Sequence, residues 1–169
     1  MFKRPCGGTV ALSDRVTTTF SEYAQLGESD PESGGILLGR LILESDDVVI
    51  DEATKPAPED RSWRFYFWRA NKPALRRVAE AWNTSGGTQV YLGDWHTHPE
   101  DVPRPSCVDL QNWKRLLKKS KYEQDFLLFV VVGRKETCVW EGTRGGRINQ
   151  LVVIKAAIDH GRGDIKSAS

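Results

Sequence analysis

Residues 93–113 read GDWHTHPEDVPRPSCVDLQNW and place two of the chain's three histidines on either side of a single threonine. Apolar residues precede them in TQVYLGDW, so the histidines come at the end of a strand, and Pro99 stops regular pairing just beyond. Residues i and i+2 of a strand face the same way, so His96 and His98 present their imidazoles together while Thr97 faces the opposite side. A second element starts at Ser106, where S-x-x-D followed by apolar residues at helical spacing predicts a capped helix. Ser106 and Asp109 then share one face of its first turn. Two neutral imidazoles are good zinc ligands, and Asp109 is the candidate third. A set of His, His and Asp leaves one position open for water, which is the catalytic arrangement and not the structural one. The competing reading is a polar loop running into a helix that Ser106 and Asp109 merely cap.

Outward from this stretch, SCVDLQNWKRLLKKS offers Val108, Leu110, Trp113, Leu116 and Leu117 as a buried stripe, with a basic last turn that suits the helix dipole. DFLLFVVVG is the best candidate for a central strand, and ETCVWEG and RINQLVVIK complete the sheet. Upstream, NKPALRRVAEAWNTSGG predicts a helix with Pro73 in its first turn and Leu75, Val78, Ala79 and Trp82 inward. RSWRFYFWR is aromatic enough to be a strand. GGILLGRLI and DVVIDEAT, joined by LESDD, predict a buried hairpin, and the pair Gly34–Gly35 marks a turn or a close backbone approach. SDRVTTTFSEYAQLG predicts a first helix capped by Ser13 or Asp14, with Val16, Phe20, Tyr23 and Leu26 inward and Gly27 near its end. GTVALSD is a short strand before it. Strands and helices alternate irregularly, which favours an α/β chain of the α+β kind, a central mixed β-sheet flanked by helices, over a doubly wound sheet. No GxGxxG or P-loop lysine motif is present.

At 169 residues the chain suits one domain. Its 24 basic against 23 acidic residues give a net charge of +1, which offers no bulk attraction for nucleic acid or an anionic membrane. The amino terminus lacks an apolar run of signal length and no stretch is long enough to span a bilayer, so a cytoplasmic protein is expected. Cys6, Cys107 and Cys138 show no CxxC spacing, which argues against disulfides and a thiolate zinc knuckle. The segment from 160 is expected to fray.

A zinc hydrolase also needs a group to take a proton from the bound water and hand it to the leaving amine. Glu32, in DPESGGILLGR, precedes a glycine pair and an apolar strand. At the edge of a buried sheet its pKa would rise toward the working range.

Taken together, Glu32, HTHP at 96–99, a spacer of residues 99–105, Ser106 and Asp109 resemble the signature of the JAB1/MPN/Mov34 metalloenzymes (the JAMM motif), without departure from its pattern. ESGGILLG also resembles the strand that carries the family's glutamate. The resemblance implies a cytidine-deaminase-like JAB/MPN domain, single over 1–169 with a core of about 8–155. It implies one zinc ion per chain held by His96, His98 and Asp109 with a bound water, Glu32 as general base and then acid, and Ser106 as a donor to the oxyanion. Family members cut after the C-terminal residue of ubiquitin-like proteins. The compact form looks bacterial, most like the deconjugases encoded beside E1- and E2-like proteins in antiphage operons such as CBASS. The implied partner is a ubiquitin-like protein or a target conjugated through its C-terminus, with the aromatic residues of RSWRFYFWR and Trp95 as candidates to line the groove for its tail. The alternatives are a peptidase that releases cysteine or another small adduct from a sulfur carrier and a non-catalytic MPN scaffold. DNA-linked RadC-like relatives fit poorly with a neutral chain.

Overall fold

The computed structural model describes residues 1–154. Lys155, placed above in the last strand, and the segment expected to fray lie outside the described residues. In chain order the elements are β1 (Phe2–Lys3), β2 (Thr9–Leu12), α1 (Asp14–Tyr23), β3 (Gly34–Leu41), β4 (Val48–Ala53), β5 (Arg61–Trp63), β6 (Tyr66–Trp68) and α2 (Asn71–Thr84). They continue with β7 (Val90–Thr97), α3 (Cys107–Lys119), β8 (Phe126–Val132), β9 (Thr137–Thr143), β10 (Ile148–Gln150) and β11 (Val152–Val153). Nine strands form one sheet in the order β10-β9-β8-β7-β3-β4-β2-β1-β11. The β7–β8 and β2–β4 pairs are parallel and the others antiparallel, so the sheet is mixed, as expected. Leu151 alone separates β10 on one edge from β11 on the other. A span of two residues reaches at most about 7 Å, so the sheet must curl until its edges nearly meet.

Helices cover both faces, which is why β8 is buried along its whole length. Phe126, Leu128, Val130 and Val132 join the core beneath α1, with Val16, Phe20 and Trp95. Leu127, Phe129 and Val131 face α3, where Trp113 stacks on Phe129 with ring centroids 4.6 Å apart. The third cluster sets α2 against β3 through Ile36, Leu38 and Ala81.

Several elements differ from their sequence reading. Helix α1 is capped by Ser13, whose hydroxyl accepts from Val16 N–H, and it ends at Tyr23. Leu26 therefore falls past the helix and is 68% exposed. Helix α2 lies on Ala74, Val78 and Ala81, which leaves Leu75, Ala79 and Trp82 exposed. In α3, Trp113 and Leu117 are buried as expected, whereas Val108 is exposed. RSWRFYFWR is not one strand of the main sheet but the separate hairpin β5–β6, with the turn at Arg64–Phe65. None of its side chains is fully buried.

Candidate metal centre and active site

Strand β7 pairs with β3 so that His96 lies opposite Gly34. A Cβ at Gly34 would stand 2.5 Å from the Trp95 carbonyl oxygen and 2.7 Å from the Phe67 ring, so this crossing requires glycine. His98 follows the strand, and its N–H still donates to the Val132 carbonyl at 2.9 Å. The loop beyond it is fastened to the β8–β9 turn, where Arg134 N–H donates to Glu100 O and Glu136 N–H to Asp101 O. That attachment fixes where α3 begins.

Ser106 and Asp109 do form a capping box: Asp109 N–H donates to Ser106 Oγ, and Asp109 Oδ2 accepts from Ser106 N–H at 2.6 Å. The same carboxylate faces the histidines. Its Oδ1 lies 3.3 Å from His96 Nε2 and its Oδ2 3.4 Å from His98 Nε2, while the two Nε2 atoms are 3.1 Å apart. For metal–ligand bonds of about 2.0–2.1 Å, the edges of a tetrahedron measure about 3.3–3.4 Å. The two imidazole nitrogens and the Asp109 carboxylate, whose two oxygens face one histidine each, therefore converge closely enough to share one ion, and the chemistry of two imidazoles and one carboxylate fits zinc. Capping and ligation, posed as competing readings in the sequence, coincide in one side chain.

Burial pushes the Asp109 carboxyl up, but hydrogen bonds from His96 and His98 outweigh it and hold the group well below the usual carboxylate range. For His98, burial opposes the charged ring, while its contact with Asp109 and the charge of Glu32 raise its pKa.

Glu32 comes within reach of this cluster, its Oε1 lying 3.7 Å from His98 Nε2, and it is only 5% exposed. Burial pushes its pKa to about 7; His98 pulls down against this, and the nearby Asp109 charge adds to the rise. What holds Glu32 there is the reverse face of the histidine strand. Thr97 N–H donates to Ser33 O, and Ser33 N–H donates back to Thr97 Oγ1, each at 2.9 Å. The Thr97 hydroxyl donates in turn to Gln25 Oε1, whose amide is anchored on Asp30 O and Arg64 O. From the other side, Glu32 N–H donates to Trp63 O and the Ser62 hydroxyl to Glu32 O, so the β5–β6 hairpin clamps the same residue. Sequence reading assigned no role to Thr97 or Gln25. The one available signal was a hydroxyl facing the interior between two histidines.

A cleft of about 1190 Å³ opens from this centre, between the hairpin on one side and α2 and α3 on the other. Phe65, Tyr66, Phe67 and Trp68 line it. Trp95, the other aromatic considered for the groove, borders the cleft as well, but its side chain is buried in the core, with Nε1–H bonded to Thr54 O and the ring against Phe20. Cys107 is exposed beside the cap, but the two histidines near it are engaged with Asp109. Among the described residues no helix is long and apolar enough to cross a membrane.

Fold and site together define a class, the JAB-type hydrolase domains. The family described as prokaryotic homologs of the JAB domain matches residues 15–142, and the chain belongs to it. Similar proteins include one from Vibrio cholerae, 34% identical across 85% of this chain and 87% of that protein. Another, from Pseudomonas aeruginosa, is 39% identical across 73% of this chain and 76% of its own length. A third, from Escherichia coli, is 30% identical across 80% and 81%. All three carry the name CD-NTase/cGAS isopeptidase. A solution structure of a protein from Desulfitobacterium hafniense aligns with a TM-score of 0.58 over 91% of this chain and 97% of that one; at 21% identity it speaks for the fold alone.

Proposed function

We propose that the chain is a zinc-dependent isopeptidase that detaches a protein joined through its C-terminus to an amino group of a target. The observation that carries this reading is the convergence of His96 Nε2, His98 Nε2 and the Asp109 carboxylate on one point beside the buried Glu32 carboxyl, whose pKa burial raises to about 7. His96, His98 and Asp109 would hold the ion, which would lower the pKa of a bound water to about 7 and polarise the scissile carbonyl.

The remaining steps fall to the chain's own side chains. Glu32 accepts the proton of the attacking water and returns it to the leaving nitrogen, so the amine departs neutral. A carboxyl near neutrality is suited to both transfers. Ser106 caps α3 through a lone pair on Oγ, whereas its proton, now given to Asp109 Oδ2, is free to turn toward a substrate oxyanion. Such a donor contributes on the order of 3 kcal/mol in other hydrolases. The cleft between the hairpin and α3 receives the extended tail of the conjugated protein, with the aromatic side chains of β6 against it.

The name shared by the relatives supports a CD-NTase-like protein as the conjugated partner, and with it a CBASS-like antiphage setting in the bacterial cytoplasm alongside E1- and E2-like proteins. In this reading the whole chain, 1–169, acts as one domain.

Elemental analysis of the purified protein tests the metal, with about one zinc per chain expected and its loss expected in His98→Ala. Glu32→Gln should keep the zinc and fail to release a CD-NTase from a conjugate. A metal-free wild type, or an active Glu32→Gln, would overturn the reading.

A further inference from the structure

The charge of this nearly neutral chain is unevenly placed. Lys114, Arg115, Lys118, Lys119 and Lys121 fall within eight residues on and just after α3, the helix that carries Asp109. Two of them, Arg115 and Lys119, project from the face that lines the cleft, in the series Val108, Asn112, Arg115, Lys119 at helical spacing, and Lys121 extends the same wall. Asn112 Oδ1 accepts from Arg115 Nη2 at 3.2 Å and keeps the guanidinium on that face. Among the described residues none of the three cations forms an ion pair.

The acidic residues of the cleft are spoken for elsewhere. Glu32 and Asp109 belong to the metal centre, Glu100 accepts from Arg104 N–H on the loop beside it, and Asp94 is held by Arg69 at 3.2 Å and Tyr91 at 2.8 Å. Among the described residues, the far half of the cleft thus has a cationic wall with no acidic side chain to answer it.

From Asp109, Arg115 stands about 9 Å along the helix and Lys119 about 15 Å, at 1.5 Å per residue. An extended peptide advances about 3.3 Å per residue, so these cations stand level with roughly the third to fifth residues from the scissile bond. We propose that the cleft selects conjugated proteins whose C-terminal tail is acidic at those positions, with its carboxylates meeting Arg115, Lys119 and Lys121. This rests on the isopeptidase reading for the direction of the tail. A deconjugase meets one kind of tail and many targets, so the groove that discriminates is the one that holds the tail.

Fluorescein-labelled short peptides with a common C-terminal end, carrying either two glutamates or two lysines at the fourth and fifth positions from the C-terminus, test this by anisotropy with the zinc-loaded protein. The glutamate peptide should bind about tenfold tighter, as expected of two exposed ion pairs at low salt. Arg115→Glu/Lys119→Glu should invert the order. Lys114→Glu/Lys118→Glu, on the same helix but outside the cleft wall, should leave it intact. Equal binding of the two peptides overturns the proposal, as does an equal effect of both double variants, which would reveal only a general field. Displacement by a single-stranded oligonucleotide at lower concentration than by the unlabelled glutamate peptide would assign the wall to nucleic acid and overturn it too. Isopeptide conjugates with the same tails separate the two levels. Cleavage that ignores tail charge sinks the acidic-tail proposal alone, whereas no cleavage of any tail sinks the isopeptidase reading even where the binding order holds.

Discussion

Thr97 shows how much one hydroxyl can carry. It lies between the two histidines, fully buried, and ties the strand that holds them to Ser33 and so to Glu32. Thr97→Val keeps the shape of the side chain and removes the acceptor for Ser33 N–H. The prediction is a protein that still binds one zinc but has a kcat/KM about 100-fold lower, because a base displaced by about 1 Å loses that much. Thr97→Ser should restore most of it; unchanged kinetics in the valine variant would show that Glu32 is held by the hairpin alone. Glu32 makes a second prediction, for the metal-free protein. Its folded pKa, raised by burial from 4.5 to about 7, means that the fold favours the neutral acid. The cost of burying the carboxylate is fully present above about pH 7 and gone below about 4.5, so Glu32→Gln should be the more stable protein at pH 8, by up to about 3 kcal/mol, and the gain should fade as the pH falls through that window. Urea melts at several pH values measure it, and a constant difference would contradict it. The proposed ligands and the proposed base could be picked out because each residue type and its spacing answer to a chemical need, and the structure brings them together. Thr97 was not, since its partners lie 64 and 72 residues away and a hydroxyl has many uses.

Among the elements, legibility followed burial. β8 was evident as an unbroken apolar run because both of its faces are covered. RSWRFYFWR was read as one strand and not as the β5–β6 hairpin because its turn, Arg64–Phe65, has none of the usual turn residues. Its rings line the cleft, as the sequence suggested, while the Trp63 carbonyl and the Ser62 hydroxyl hold Glu32. Helix α2 was rotated in the sequence reading because large apolar residues were assigned inward, whereas the helix packs close to the sheet through Ala74 and Ala81. β7 holds the position where the least change is tolerated. Gly93 has φ +145°, and a Cβ there would lie 1.8 Å from the Leu128 carbonyl oxygen, at the bulge where the β3–β7 register shifts. Gly93→Ala must either break the pairing with β8 or push the strand aside, and should cost at least about 3 kcal/mol in urea unfolding. Because His96 is three residues further along, zinc affinity should fall as well. A variant with wild-type stability would mean that β7 and β8 are not packed at this distance.

In the molecule as a whole, closure of the sheet is the feature least visible in the sequence. β1 pairs with β11, Phe2 opposite Val153, a contact between the two ends of the described chain that no local pattern announces. Across the near-meeting edges, Arg4 donates to Glu141 Oε2 at 2.7 Å, both side chains 7% exposed, while its guanidinium lies 4.0 Å above the Phe126 ring and also reaches Asp46 O. A buried pair of this kind adds little over an apolar pair of the same size, yet removing one member strands the other charge. Glu141→Ala or Arg4→Met should each destabilise the protein by about 3–5 kcal/mol, and Arg4→Met/Glu141→Leu should recover most of the loss. The proposed metal ligands sit on β7, at its end and on α3, so the single variants should still bind one zinc per chain at temperatures where they remain folded. Thermal melts of the three variants with zinc measured on each decide the matter. Additive losses in the double variant would mean that Arg4 and Glu141 serve separate contacts, and loss of zinc from the folded singles would mean that the seam and the catalytic face are one cooperative unit.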